Sequence, residues 1–240
     1  MLILAVDTST RTGSVAVLRD SEVLAEVSGT EETPYSTRLF RDVAVLQARA
    51  PFRLNEVDVF AVAAGPGSFT GLRIGLTAVK AWAEVHGKPI AAVSGLEAIA
   101  AESIVGGRQD ASDGHFLAPF LDARRGQVFG SIYRRVSGGG RGLALANAES
   151  ILSPEEFLEL VKGESSSPVL LVSPTPDVLP AARVREVLPG SRIEQVSGAL
   201  APTIGRLGFE RARRGDLVNP IHLDANYVRR SDAEAAWRDG

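Results

Sequence analysis

Short apolar runs and helical stripes alternate along the first hundred residues. Leu2 to Val6 is apolar throughout, the pattern of a strand buried on both faces, and it stops at the polar turn Asp7-Thr8-Ser9-Thr10. Gly13 to Leu18 and Val23 to Val27 follow, separated by Arg19-Asp20-Ser21, so the opening predicts a three-stranded antiparallel meander. Thr33 is placed to cap a helix with Pro34 in its first position, where a missing N–H costs nothing, and the helix is expected to reach about Arg49. Val57 to Ala64 reads as another buried strand. A glycine-rich turn from Gly65 to Gly71 then leads into a long helix ending at His86, before Gly87-Lys88-Pro89. Ile90 to Val93 is a strand, and Ser94 caps a helix through Leu96, Ile99 and Ala100.

That order predicts an α/β lobe: a mixed sheet with crossover helices, as in ribonuclease H-like lobes. Gly106 to Gly114 is rich in Gly, Ser and Asp and marks the expected boundary, giving lobes at 1–105 and 115–240. In the second half, Phe116 to Leu121 and Gln127 to Tyr133 read as strands, and Val136 to Gly142 as a glycine-rich turn. Pro154 to Val161 reads as a helix behind Ser153, Val169 to Val172 as a strand, Ala201 to Arg214 as a helix, and the tail from Asn219 as mostly irregular.

The long helix carries more apolar surface than one core contact needs. Leu72, Leu76, Val79, Ala83 and His86 form one stripe at about 100° per residue. Gly71, Ile74, Gly75, Ala78, Ala81, Trp82 and Val85 form a second beside it. On the preceding helix, Tyr35, Leu39, Val43, Leu46 and Ala50 make a core stripe, while Phe40, Ala44 and Ala48 add a line on another side, where small residues let a facing helix approach. Either the chain's own second lobe covers these extra stripes, or a partner's helices do.

Composition narrows the chemistry. The chain has 240 residues, no cysteine, and a net charge of −3, so disulfides, thiolate zinc sites and cysteine nucleophiles are excluded. An acidic balance argues against RNA binding by this chain alone. The first apolar run is too short for a signal core or a membrane span, so a cytoplasmic protein away from membranes is expected. His86, His115 and His222 lie far apart and no His-Glu-x-x-His occurs, so no metal site is expected.

The turn Gly65-Pro66-Gly67-Ser68-Phe69-Thr70-Gly71 could present N–H groups to an anion, or it could serve only a tight turn and close helix packing. Leu72 after Gly71 excludes a Walker loop, Thr70 breaks the dinucleotide spacing, and Gly-x-Ser-x-Gly is absent. Asp7 and Asp122 each end a strand opening one half, where a carboxylate could hold magnesium beside a phosphate. Ala123, Arg124 and Arg125 follow Asp122 where a phosphate turn would need small residues.

Three stretches resemble the bacterial TsaB family: Leu2 to Val17, Ala64 to Gly75 (with Gly-Pro-Gly-Ser-Phe-Thr-Gly-Leu-Arg ending at Arg73), and Asp122-Ala-Arg-Arg-Gly126 to Phe129. Asn226-Tyr227-Val228-Arg229 is similar to the family's near-terminal Tyr-Leu-Arg. Many members read His-Ser-Glu where this chain has Tyr35-Ser36-Thr37. The resemblance implies two actin-like, sugar kinase-like lobes, with no catalytic residue and no cofactor in this chain. It also implies a noncatalytic subunit pairing through its first lobe with the catalytic paralogue TsaD. The ATPase TsaE would join that pair, and without TsaD the chain would pair with itself. The complex would transfer a threonylcarbamoyl group to the adenosine beside a tRNA anticodon, with tRNA met only through the complex. A magnesium- and ATP-dependent enzyme of the same superfamily, using Asp7 and Asp122, is the main rival; a glycoprotease-type peptidase is a lesser one.

Overall fold

The computed structural model describes residues 1–29, 34–105, 114–136, 142–226 and 228. Its first sheet contains β1 (Leu2–Asp7), β2 (Ser14–Arg19), β3 (Glu22–Ser28), β4 (Val59–Gly65) and β5 (Ile90–Ser94), ordered β3-β2-β1-β4-β5. β1, β2 and β3 run antiparallel as the meander predicts, and β4 and β5 add in parallel. α1 (Tyr35–Arg49), α2 (Phe69–His86) and α3 (Gly95–Val105) make the connections. α1 starts one residue later than expected: Pro34 is its N-cap, and Thr33 lies outside the described residues. Tyr35 fixes this start by donating its hydroxyl to Thr10 O in the β1–β2 loop.

The second sheet repeats the plan. β6 (Phe116–Arg124), β7 (Gln127–Arg135), β8 (Leu143–Leu152), β9 (Leu170–Ser173) and β10 (Arg192–Gln195) are ordered β8-β7-β6-β9-β10, the same succession of antiparallel meander and parallel additions. α4 (Pro154–Glu164), α5 (Ala181–Val187) and α6 (Ala201–Arg214) match α1, α2 and α3 in order. These are two ribonuclease H-like lobes. β8, α5 and β10 went unread in the sequence. Residues 106–113 at the expected boundary, and 137–141 in the glycine-rich turn, lie outside the described residues.

Strand alternation divides the interior into three cores. Leu4, Val6, Val15 and Val17 face α1 and α2 on one side of the first sheet. Ile3, Ala5, Ala16 and Leu18 face the other side, sharing a core with α3, α6 and the residues Leu117, Phe129, Tyr133 and Val172 of the second sheet. Ala118, Phe120, Val128 and Ile132 pack beneath α4 and α5. The molecule therefore layers as α1/α2, sheet, α3/α6, sheet, α4/α5.

Within the middle layer the chain order is crossed. α6 belongs to 115–240 in sequence yet packs on the first sheet, where Gly208 stands over Ala61 so closely that a Cβ would come within 2.8 Å of the Ala61 Cβ. Ser14 of β2 accepts the N–H of Ala201 at 2.9 Å, capping α6 from the first lobe. α3 packs on β6 of the second sheet. A division at residues 106–114 is a division of the sequence, not of the packing.

Candidate functional site

The first two motif stretches meet at the end of β1. Asp7 is fully buried, and its carboxylate accepts the Ser9 N–H at 2.8 Å and the Ser9 hydroxyl at 2.6 Å, with the Thr10 hydroxyl 3.1 Å away. Burial raises its pKa above the usual carboxylate range, while the Ser9 and Thr10 donors oppose the shift. Asp7 thus ties its own loop. The Thr10 hydroxyl also lies 3.1 Å from Gly198 O, which brings the β10–α6 loop of the other half onto this turn.

The glycine string is built for close approach. Thr8 donates to Gly71 O at 2.7 Å, and a side chain at Gly71 or Gly75 would collide with Thr8. Ser68 N–H is given to Ser9 O at 2.8 Å, Gly71 N–H to the Ser68 hydroxyl, and Leu72 N–H to Ser68 O. Gly67 also stands against Ser9. These contacts show a turn packed tightly on the β1–β2 loop, with the N–H groups of Ser68, Gly71 and Leu72 engaged within it. Gly65 and Pro66 are buried, whereas Ser68 and Thr70 are exposed and Arg73 lies over the Phe69 ring at 4.0 Å.

The third stretch forms a hairpin on the second sheet. Arg124 pairs with Gln127, leaving Arg125 and Gly126 as a two-residue turn with φ of 55° and 72°. Arg124 also has positive φ, at 65°, beside a bulge after Asp122. Asp122 accepts the Arg124 N–H at 2.7 Å and faces its guanidinium at 3.4 Å. This pair sits at the surface, with the Arg124 side chain exposed. Among the described residues, no three His, Asp or Glu side chains gather as a metal site.

The predicted interface separates into two parts. Gly71 and Gly75 are covered by Thr8, and Ala78, only 7% exposed, belongs to the core beneath α1 and α2. These three are interior positions of the lobe itself: Thr8 of the β1–β2 loop, which a helical projection does not show, lies over the two glycines, and Ala78 packs among the core residues of α1 and α2. A charge at Ala78 would therefore strike the fold of the lobe as well as any surface beside it.

The other part lies open. Phe40 is 60% exposed and Val85 77%; Ala44, Val45, Ala48 and Ala81 are exposed, and Ile74 and Trp82 half-buried. Phe40 meets Trp82 edge-on, centroids 5.9 Å apart, joining α1 to α2. The described residues of the second sheet and its helices do not cover this face, as it lies across the first sheet from α3 and α6.

A polar cluster missed in the sequence sits where the two sheets' ends adjoin. A cavity of about 530 Å³ is lined by Ser94, Glu97, Tyr133, Glu149 and Asn226, with Leu143, Leu145 and Ala148. Ser94 and Asn226 donate to the Glu149 carboxylate, and the Tyr133 hydroxyl stands 3.5 Å away. Burial, chiefly, lifts both Glu149 and Tyr133 above their usual pKa. Glu97 is paired with Arg211 at 2.6 Å. Ser94 carried only a capping signal in the sequence, Asn226 only the tail resemblance, and Glu149 none.

No helix among the described residues is long and apolar enough to cross a membrane. The family model for TsaD, tRNA N6-adenosine threonylcarbamoyltransferase, matches residues 31–171. The tRNA threonylcarbamoyladenosine biosynthesis protein TsaB of Bacillus subtilis is 32% identical over 99% of this chain and 98% of its own length. TsaB of Escherichia coli is 32% identical over 68% of this chain and 69% of its own. Among solved structures, YeaZ from Pseudomonas aeruginosa superposes with a TM-score of 0.74 at 25% identity, covering 94% of this chain and 99% of that one. With near full-length similarity to a TsaB, and the motif strings that pack at the end of β1, the chain belongs to the TsaB family of tRNA threonylcarbamoyladenosine biosynthesis proteins.

Proposed function

We propose that this chain is a noncatalytic scaffold that pairs with and stabilises the catalytic subunit TsaD, through the exposed α1/α2 face. The observation carrying this reading is the open apolar ridge of Phe40, Ala44, Val45, Ala48, Ala81, Trp82 and Val85. Contiguous apolar patches of this kind mark interaction surfaces, and the small residues admit close helix-on-helix approach. In the same reading, TsaE joins the pair, tRNA is met only through the complex, and the chain dimerises through this face when alone. The enclosed Asp7 and the arginine-bound Asp122 support a role without magnesium-ATP chemistry.

Light scattering of the chain, of its cognate TsaD, and of the mixture tests the pairing, with transferase assays on the same three samples. The expected outcome is a stoichiometric complex active only as the mixture. Transferase activity in this chain alone, or separate elution of the two at high micromolar concentration, would overturn the reading.

A further inference from the structure

After α6 the chain does not simply trail off. Val218 pairs with Ile90 through two backbone hydrogen bonds, of 3.0 and 2.8 Å, extending the β5 edge by one bridge. Leu223 and Ala225 pack into the core beneath α1 and α2, and Lys80 of α2 donates to Leu223 O at 2.9 Å. Asn226 then gives its N–H to Ala64 O at 2.7 Å, at the end of β4, and its carbonyl lies against Gly65. Its side chain leaves the first lobe altogether and donates to Glu149 on β8. Glu149 also receives the Ser94 hydroxyl, so one carboxylate collects donors from β5, from the tail and from its own sheet's Tyr133.

We propose that the segment Asp216–Asn226 is an interlobe strap: anchored along β5 and α2 and clasped to the second lobe by Asn226 on Glu149, it holds the cleft between the sheet ends closed. The middle layer of α3 and α6 acts as the hinge side, since both sheets bury apolar side chains there. The clasp lies at the opening side, where the cavity of about 530 Å³ gives room for movement. The Lys80 grip ties the strap to α2, so movement of that helix has a direct path to the clasp. This inference does not depend on which protein, if any, covers the α1/α2 face.

The absence of native cysteine permits a clean distance measurement. Spin labels at Arg19→Cys on the first sheet and Glu159→Cys on α4, both exposed positions, report the separation of the lobes by pulsed electron resonance. The reference chain is expected to give one narrow distribution. Asn226→Ala and Glu149→Ala should each shift it to longer distance and broaden it, while Glu149→Gln, whose amide oxygen still accepts from Asn226, should keep the reference distribution. Melting curves establish that each variant is folded. A folded Asn226→Ala or Glu149→Ala chain whose distribution superimposes on the reference would overturn the proposal, as would equal broadening in Glu149→Gln.

Discussion

The two lobes share one topology and differ on their outer faces. In the first, α1 and α2 run 15 and 18 residues and leave Phe40, Val45 and Val85 exposed. In the second, α4 and α5 run 11 and 7 residues, and among the described residues neither exposes a large apolar side chain. Their outer surface instead carries ion pairs: Arg183 with Glu155 at 3.0 Å and with Glu186 at 2.7 Å, and Lys162 with Glu159 at 3.7 Å. Such exposed pairs add little stability, but they keep a surface wet. The same scaffold is thus finished for solvent on one side and left unfinished on the other. The difference lies in which residues occupy the outward helical positions, not in how the strands are arranged.

Substitutions on the first lobe's outer layer should separate interior from open positions. Ala78→Arg has the largest expected effect, a loss of about 3–5 kcal/mol of stability from an unpaired buried charge; a denaturant melt within about 1 kcal/mol of wild type would place Ala78 on the open ridge instead. Gly71→Ala comes next, because its Cβ meets the Thr8 carbonyl and disturbs the Thr8–Gly71 hydrogen bond. Overpacking of this kind costs about 1–3 kcal/mol, and a neutral substitution, read in the same melts, would mean that the loop yields freely.

The pH dependence sharpens the account of Asp7. Burial raises its folded-state pKa, so its contribution favours the fold at low pH and is lost as pH climbs through the folded value. Asp7→Asn removes that loss. Between about pH 4 and neutrality, wild type should therefore lose stability relative to the variant, and parallel thermal-melt profiles would show that the donors from Ser9 and Thr10 fully offset burial.

On the second lobe the expected effects are small. Ser153 accepts the Glu156 N–H at the start of α4, and Ser153→Ala should cost about 1 kcal/mol of stability. It should leave association with TsaD unchanged. Weakened binding in a sedimentation titration would extend the pairing face onto this lobe.

Much of the first lobe is legible because its elements bury one stripe or alternate apolar residues: Leu4 and Val6 against Ile3 and Ala5, or Leu72, Leu76 and Val79 along α2. The second lobe writes its edge strands in weaker terms. β8 reads Leu-Ala-Leu-Ala-Asn-Ala-Glu-Ser-Ile-Leu and β10 Arg-Ile-Glu-Gln, sequences poor in β-branched residues that become strands through pairing with β7 and β9. The crossing of α3 and α6 rests on contacts such as Gly208 with Ala61, far apart in sequence and carrying no local signal. At the site, periodicity sets the Phe40, Ala44 and Ala48 line apart from the core stripe of α1, and all three residues are exposed. It could not tell that Thr8 covers Gly71 and Gly75, because a helical projection gives direction without neighbours.

Ala81 offers the most direct test of the claim that the first lobe's outer face is the pairing surface, since it is exposed, lies on α2 beside Trp82, and has no part in the described cores. Isothermal titration of TsaD with the Ala81→Glu chain should show affinity weakened about 100-fold or more, the consequence of leaving a charge buried and unpaired at the interface, with the chain's own melt unchanged. Binding equal to wild type, by a folded Ala81→Glu chain, would contradict the account.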